Sequence, residues 1–323
     1  MDKDEYMKAW LARPDHTVME NKDFGLGDAL ERLQVAENLS VKKPQVTDGA
    51  RIYQAAKKMD EEKRAKAGET GEAASMPAVS FEDVSLTYPG GGEEALSNIT
   101  FSASDGQTIG IIGGTGCGKS SLVNLIPRFY DVTGGRVLVY GKDVRDYEKG
   151  ALHKLISVVP QKAALFAGSI AENLRWGREQ ASEEELLEAS EMAQASDVLE
   201  AKGGLSGMVE QGGRNLSGGQ RQRLTIARAL VSKKPILILD DSFSALDMAT
   251  DQRLRTALRG MEKRPLTFIV SQRTKAIQDA DLILVLDNGR LVASGTHEAL
   301  LADCPLYREI HESQAGPSEE VSA

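Results

Sequence analysis

The sequence predicts an α/β fold with a mostly parallel sheet, an antiparallel β subdomain and an inserted helical subdomain. Residues 79–88 and 99–104 alternate apolar and polar side chains, as half-exposed antiparallel strands do. Residues from about 169 to 231 are predicted to be mostly helical. Three apolar runs then alternate with helical segments, which indicates parallel strands with crossover helices: 236–239, 266–270 and 282–286.

Local signals predict the other elements in chain order. A strand bounded by glycines is expected at 134–141, and a short buried strand at 156–159. Ser182, followed by three glutamates, predicts a helix cap with an acidic first turn. A returning strand near 289–292 and two closing helices complete the predicted domain, with the helices at 296–302 and 306–313.

A glycine-rich loop lies between the apolar run 108–112 and a predicted helix beginning near Leu122. The loop has the G-x-x-x-x-G-K-[ST] spacing of a P-loop, and its residues are Gly113, Gly114, Thr115, Gly116, Cys117, Gly118, Lys119, Ser120 and Ser121. Such a loop points backbone N–H groups at a phosphate, and the helix N-terminus adds partial positive charge. We expect Lys119 to reach the β- and γ-phosphates of a nucleotide and Ser120 to contact Mg²⁺. The predicted core is therefore a P-loop NTPase core of the RecA-like type.

A carboxylate ends the apolar strand at 236–239. This residue, Asp240, is where a P-loop protein holds Mg²⁺ from the side opposite the loop, the Walker B position. Any buried strand can end in aspartate, so the position gains its meaning from the P-loop upstream.

Composition bounds the remaining possibilities. The chain has 323 residues, a formal net charge of −9 and 41% hydrophobic residues, enough for one large domain with or without an appendage. The acidic balance argues against a nucleic-acid partner. Its two cysteines, Cys117 and Cys304, imply no disulfide framework and fit a reducing cytosol. No long apolar run and no signal peptide are apparent, so we expect a chain that is soluble by itself.

The predicted domain covers residues 78–313. Before it, residues 1–77 are predicted to be an extension and linker, which includes a helix at 48–66 with helically spaced apolar residues. Residues 67–77 are small and polar, as in linkers, and residues 314–323 form a predicted tail.

The stretch Leu216–Gln220 opens a predicted helix over 221–231, with Ser217 as its N-cap. Alone, a serine and two glycines would indicate a capped surface helix. Here the sequence LSGGQRQRLTIARAL is followed by LILDD, and the two together closely resemble the signature and Walker B motifs of the ATP-binding cassette (ABC) family. The resemblance covers about residues 78–313, and it implies ATP and Mg²⁺ as cofactors and ATPase activity.

The resemblance also implies roles for other positions. Tyr88 matches the aromatic residue that stacks on adenine, with a plain strand-end tyrosine as the alternative. Gln161 is similar to the Q-loop glutamine, which contacts Mg²⁺ and faces the membrane domain, and LFAGSIAENL after it is typical of exporters. Asp247 ends a segment, SALD, that resembles the D-loop. The helix at 48–66 resembles the segment joining the last membrane helix of an exporter to its cassette.

Two positions depart from the family pattern. The family's general base, a glutamate after the Walker B aspartate, is Asp241 here, and its switch histidine is Gln272. Aspartate is shorter than glutamate by about 1.5 Å, and a displacement of about 1 Å at a reacting group reduces a rate roughly 100-fold. Glutamine can hydrogen-bond a γ-phosphate but cannot become a cation. Residues 210–213 also differ from the exporter G-E-R-G pattern.

These features together resemble the catalytically impaired half of a heterodimeric ABC exporter. The resemblance implies a second half-transporter with catalytic Glu and His, and an integral membrane transport domain outside this chain. The competent site would then combine the partner's catalytic residues with four residues of this signature: Ser217, Gly218, Gly219 and Gln220. The expected location is the cytoplasm, at the inner face of the plasma membrane. A stand-alone regulatory ATP-binding module and a truncated exporter fragment remain alternatives.

Overall fold

A six-stranded sheet and a four-stranded antiparallel sheet frame the part of the chain that the structure describes. The structure is a computed structural model, and it describes residues 76–148 and 150–314. The predicted extension, with its helix at 48–66, and the predicted tail beyond residue 314 lie outside the described residues.

Strands are numbered in chain order: β1 (Val79–Leu86), β2 (Leu96–Ala103), β3 (Thr108–Gly113), β4 (Gly134–Val139), β5 (Lys142–Asp143), β6 (Ile156–Val159), β7 (Gly168–Ser169), β8 (Met208–Val209), β9 (Ile236–Asp240), β10 (Leu266–Val270), β11 (Leu282–Asp287) and β12 (Arg290–Gly295). The helices are α1 (Lys119–Leu125), α2 (Ile170–Arg175), α3 (Glu183–Met192), α4 (Ser196–Lys202), α5 (Gly218–Val231), α6 (Met248–Arg259), α7 (Thr274–Ile277), α8 (His297–Asp303) and α9 (Pro305–Gln314). No helix within these described stretches is long and apolar enough to cross a bilayer.

The six-stranded sheet has the order β12-β11-β3-β10-β9-β6. Strands β11, β3, β10, β9 and β6 run parallel, and β12 pairs antiparallel with β11. Val270 of β10 is in register with Asp240 of β9 and with Ile111 of β3. The carboxyl ends of these three strands therefore meet at one edge of the sheet, where open α/β sheets bind their ligands.

Alternate residues of the parallel strands enter two different cores, because side chains of a strand alternate between its faces. In β9, Ile236 and Ile238 pack in the core shared with the antiparallel sheet and α1. Leu237 and Leu239 pack in the core on the helical side. Burial on both faces explains why these strands appear in the sequence as continuous apolar runs.

The helical insertion is built from helices that pack on one another. Helices α2 and α3 both contact α5, and each of the three begins with a serine capping box: Ser169, Ser182 and Ser217. The predicted caps at Ser182 and Ser217 are thus confirmed. A short antiparallel pair, β7 with β8, lies in the same region, and its two-residue strands are too short to give a sequence pattern.

The predicted fold class is confirmed, and the differences concern element boundaries. Strand β2 begins at Leu96 rather than near residue 99, because Leu96 pairs with Leu86 across the antiparallel sheet. Helices α1 and α5 begin at Lys119 and Gly218, within the motifs that precede their apolar residues.

Candidate nucleotide-binding site

The P-loop turns sharply from β3 into α1, and two of its glycines are required by close backbone neighbours. Gly113 has φ 155°, and a Cβ there would lie 2.1 Å from the carbonyl oxygen of Leu286. Gly118, the N-cap of α1, has φ 98°, and a Cβ there would lie 2.8 Å from the carbonyl oxygen of Ala95. Glycine fits the loop conformation at these two positions, whereas a larger residue would clash with the neighbouring backbone.

Lys119 folds over the loop from the first turn of α1. Its Nζ donates to the carbonyl oxygens of Gly113, at 3.0 Å, and Gly114, at 2.7 Å. The Sγ atom of Cys117 lies 3.8 Å from the same Nζ, and Cys117 is only 5% exposed. The lysine charge thus sits inside the loop, and the cysteine beside it is buried. Thr115 and Gly116 form the exposed tip.

The Ser120 hydroxyl and the Asp240 carboxyl lie together beside the loop. The Ser120 hydroxyl donates to Oδ1 of Asp240 at 3.0 Å, across 120 residues of sequence. Asp240 is buried, and this burial raises the pKa of its carboxyl to about 6, although the bond from Ser120 acts in the opposite direction. A hydroxyl and a carboxylate are the hard oxygen ligands that Mg²⁺ prefers, so the donor set fits that ion.

Asp241 follows directly after β9 and has a left-handed backbone, with φ 45°. Its N–H donates to the carbonyl oxygen of Val270 at 3.0 Å, which ties it to the end of β10. Gln161 reaches it from the segment after β6 and donates from Nε2 to Oδ2 of Asp241 at 3.2 Å. The structure therefore brings together two predicted site residues that are 80 positions apart in the chain.

Gln272 lies in the turn between β10 and α7, with an exposed side chain. The turn is fixed at its start by the Ser271 N–H, which donates to the carbonyl oxygen of Ile111 at 3.0 Å. Arg273 in the same turn donates from Nη2 to the carbonyl oxygen of Ser244 at 3.2 Å. The switch position is thus linked both to the P-loop strand and to the segment resembling the D-loop.

Tyr88 stands beside the start of α1. Its hydroxyl donates to Oγ of Ser121 at 2.8 Å, and its ring meets Tyr130 edge to face with a centroid distance of 4.9 Å. Partial burial raises the pKa of the Tyr88 hydroxyl. The ring is thereby held next to the P-loop residue Ser121.

The signature region forms a second group of residues. Ser217 Oγ accepts from the Gln220 N–H at 3.2 Å, and Gln220 Oε1 accepts from the Ser217 N–H at 2.9 Å, which completes the capping box. Gly218 is exposed, and a Cβ on Gly219 would lie 3.0 Å from the carbonyl oxygen of Ala245. The start of α5 therefore packs closely against the segment 244–247.

Asp247 begins α6 as its N-cap. Its Oδ1 accepts from the Thr250 N–H at 3.0 Å, and the backbone hydrogen bonds at this cap hold the pKa of the Asp247 carboxyl below its usual range. The segment resembling the D-loop therefore ends where α6 begins.

Sequence reasoning missed residues that support the site. Tyr130 packs on Tyr88, and Gln314 at the end of α9 hydrogen-bonds the turn that holds Gln272. Neither belongs to a local motif, and Gln314 lies 42 positions from its partner, so no spacing rule indicates it.

A glycine-rich loop lies between a strand and a helix, and beside it a serine is hydrogen-bonded to a strand-end aspartate. These features define a P-loop nucleotide-binding domain. Within that class, residues 96–244 match the family described as ABC transporter. Together with the motifs and the fold, this match identifies the domain as an ABC transporter ATP-binding domain, a class of ATPase.

The chain is similar over most of its length to several known proteins. The chain is 45% identical over 240 residues to an uncharacterized ABC transporter ATP-binding protein of Mycobacterium tuberculosis, covering 73% of this chain and 41% of that protein. It is 42% identical to a beta-(1→2)glucan export ATP-binding/permease protein of Rhizobium johnstonii, covering 69% and 38%. An ATP-dependent lipid A-core flippase of Chromobacterium violaceum is 40% identical, with 75% and 42% covered.

A solved structure of a bacterial Atm1-family ABC exporter with ATP bound has the same fold. It superimposes with a TM-score of 0.71 at 34% identity, covering 82% of this chain and 48% of that one. The chain thus spans about two fifths of the length of the curated relatives named above and about half of this structure.

Proposed function

We propose that this chain is the ATP-binding part of an ABC exporter in which the two ATP sites are unequal. In this proposal its own P-loop site binds Mg-ATP and hydrolyses it slowly, while its signature completes a faster site on a partner. One contrast carries the proposal. The P-loop and the capped signature keep the family pattern, whereas Asp241 and Gln272 depart from it.

At the chain's own site, the loop N–H groups and Lys119 bind the phosphates, and Tyr88 stacks on adenine. The buried lysine and the open loop tip support the first role, and the fixed tyrosine ring supports the second. Ser120, Asp240 and Gln161 would hold Mg²⁺, which neutralises charge on phosphate oxygens when it is bound.

Hydrolysis at this site is slow because the two groups that would act on the attacking water are altered. Asp241 is about 1.5 Å shorter than a glutamate, and its carboxylate already accepts a hydrogen bond from Gln161. Gln272 can donate a hydrogen bond to a γ-phosphate, but it does not become a cation as histidine does. Both substitutions leave phosphate binding intact.

The signature serves the partner's site. Ser217 and the N–H groups of Gly218, Gly219 and Gln220 form a helix N-terminus that suits a γ-phosphate, since such termini bind anions. The segment 244–247, which includes Asp247, lies beside the signature at the interface between the two halves. The partner supplies its own P-loop lysine, a glutamate and a histidine.

The assembly also contains an integral membrane transport domain. The relatives named as export and flippase proteins support this part of the proposal. The substrates in their names are those of the relatives and are not assigned to this chain. The ATP-binding domain would then act at the inner face of the membrane, with its position set by the membrane partner.

The test is turnover by the purified chain. We expect it to bind Mg-ATP with ordinary affinity and to hydrolyse it very slowly, measured by calorimetry and by release of inorganic phosphate. Lys119→Ala should remove binding, because it deletes the cation inside the loop. Brisk hydrolysis by monodisperse wild-type protein that disappears in the Lys119→Ala variant would contradict the proposal.

A further inference from the structure

The last residue of α9 spans the turn that carries Gln272. The side-chain amide of Gln314 donates from Nε2 to the carbonyl oxygen of Gln272 at 2.7 Å. Its Oε1 accepts from the N–H of Thr274 at 2.9 Å and faces the Thr274 hydroxyl at 3.3 Å. One amide group therefore binds the backbone on both sides of Arg273, as a neighbouring strand would.

A second contact anchors α9 at the same place. His311, one turn before Gln314, has its Nδ1 3.0 Å from Oγ1 of Thr274, and the Thr274 side chain is fully buried. The His311 ring also packs edge to face on His297, whose Nδ1 lies 2.7 Å from the hydroxyl of Tyr307. The end of α9 is thus held against the turn by side chains as well as by its own packing.

These contacts fix the backbone on which Gln272 stands. The Gln272 side chain is exposed, so its direction depends on the backbone torsions of the turn. Ser271 fixes one end of the turn through Ile111, and Gln314 fixes the carbonyl of Gln272 itself. Without Gln314, the turn would sample other conformations, and the orientation that meets a γ-phosphate would be populated less often.

We propose that Gln314 is a positioning residue for the switch glutamine, and that α9 in this way sets how well the site recognises the γ-phosphate. The inference rests on the proposed function, in which Gln272 contacts that phosphate. It assigns a role in the ATP site to a residue at the far end of the domain.

The experiment compares two nucleotides that differ in the γ-phosphoryl group. Calorimetry on the full chain measures binding of Mg-AMP-PNP, a non-hydrolysable triphosphate, and of Mg-ADP. We expect Gln314→Ala to weaken Mg-AMP-PNP binding about threefold to tenfold, the effect of losing one or two net hydrogen bonds, and to leave Mg-ADP binding unchanged. Gln314→Glu should behave similarly, because a carboxylate cannot donate to the Gln272 carbonyl.

Two controls distinguish positioning from a general structural effect. Glu312→Ala alters an exposed residue of the same helix and should change neither affinity. On a Gln272→Ala background, Gln314→Ala should add nothing, because a residue that acts only through Gln272 is silent without it.

The outcomes separate the inference from the function on which it rests. If Gln272→Ala weakens Mg-AMP-PNP selectively but Gln314→Ala does not, or if the two effects add, the positioning role is overturned and the proposed function stands. If Gln272→Ala has no selective effect, the role of Gln272 at the γ-phosphate is wrong, and the role of Gln314 is overturned with it.

Discussion

The P-loop edge of the sheet and the signature are built in different ways. At the P-loop edge, where the parallel strands end beside the P-loop, the candidate site residues come from α1, from the end of β9 and from the segments after β1 and β6. They contact one another over long sequence separations. The signature is a local structure, in which Ser217 and Gln220 satisfy each other's backbone within one turn. Substitution of a single P-loop-edge residue can therefore impair hydrolysis and leave the signature unchanged.

The largest effect should come from restoring the family's glutamate and histidine at positions 241 and 272. We expect Asp241→Glu combined with Gln272→His to raise turnover by about 100-fold, because a general base placed within reach of water contributes at least that factor. The measurement is phosphate release at protein concentrations high enough for two copies to pair, each lending its signature to the other.

Asp241→Asn with Gln272→His is the matched control, since it supplies the histidine but no base. It should remain as slow as the wild type. Equal turnover in the control and the Asp241→Glu pair would mean that the base is not what limits this site.

A smaller effect is expected at Tyr88. Removing the ring with Tyr88→Ala should weaken Mg-ATP binding about tenfold, because stacking of a base on an aromatic ring contributes about 1–3 kcal/mol. Tyr88→Phe keeps the ring, loses the hydrogen bond from the hydroxyl to Ser121, and should cost about twofold. Inorganic tripolyphosphate, which has no base, should bind all three proteins alike in calorimetry. Weakened tripolyphosphate binding by Tyr88→Ala would show that the tyrosine supports the loop and does not stack on adenine.

The smallest effect concerns the signature cap. Ser217→Ala should lower the free energy of unfolding by about 1 kcal/mol, the usual cost of losing a serine N-cap, as measured by urea denaturation. Ser182→Ala removes an equivalent capping box from α3 and should cost about the same. Only Ser217→Ala should reduce turnover of the assembled exporter. A similar loss from both variants would assign the effect to stability of the helical insertion.

Local structures and long-range contacts differ in how far the sequence predicts them. The P-loop, the strands around it and the capped signature are local patterns, so the sequence reveals them directly. The hydrogen bond from Gln161 to Asp241 depends on the strand order β3-β10-β9-β6, and the hydrogen bond from Gln314 to Gln272 depends on where α9 packs. Those are consequences of three-dimensional packing between distant segments, and no spacing of residue types encodes them.

The exposed position of Gly218 allows a direct test of unequal sites. Among the residues that the structure describes, a Cβ there meets only Arg221 Nη2, at 4.0 Å, so Gly218→Asp fits the folded chain. In a closed site its carboxylate would face the γ-phosphate, and like charges about 4 Å apart repel by about 4 kcal/mol at an effective dielectric of about 20. The substitution should therefore block closure around the ATP held by the partner.

The measurement is steady-state ATPase activity of the exporter reconstituted from this chain and its partner, at saturating Mg-ATP. Ser217→Ala with Gly218→Asp should abolish turnover, because it disables the competent site. Lys119→Ala should reduce turnover by only a small factor, because it damages the site that is already slow. If the Lys119→Ala complex is as inactive as the signature variant, the two sites are equivalent and the proposed asymmetry is wrong.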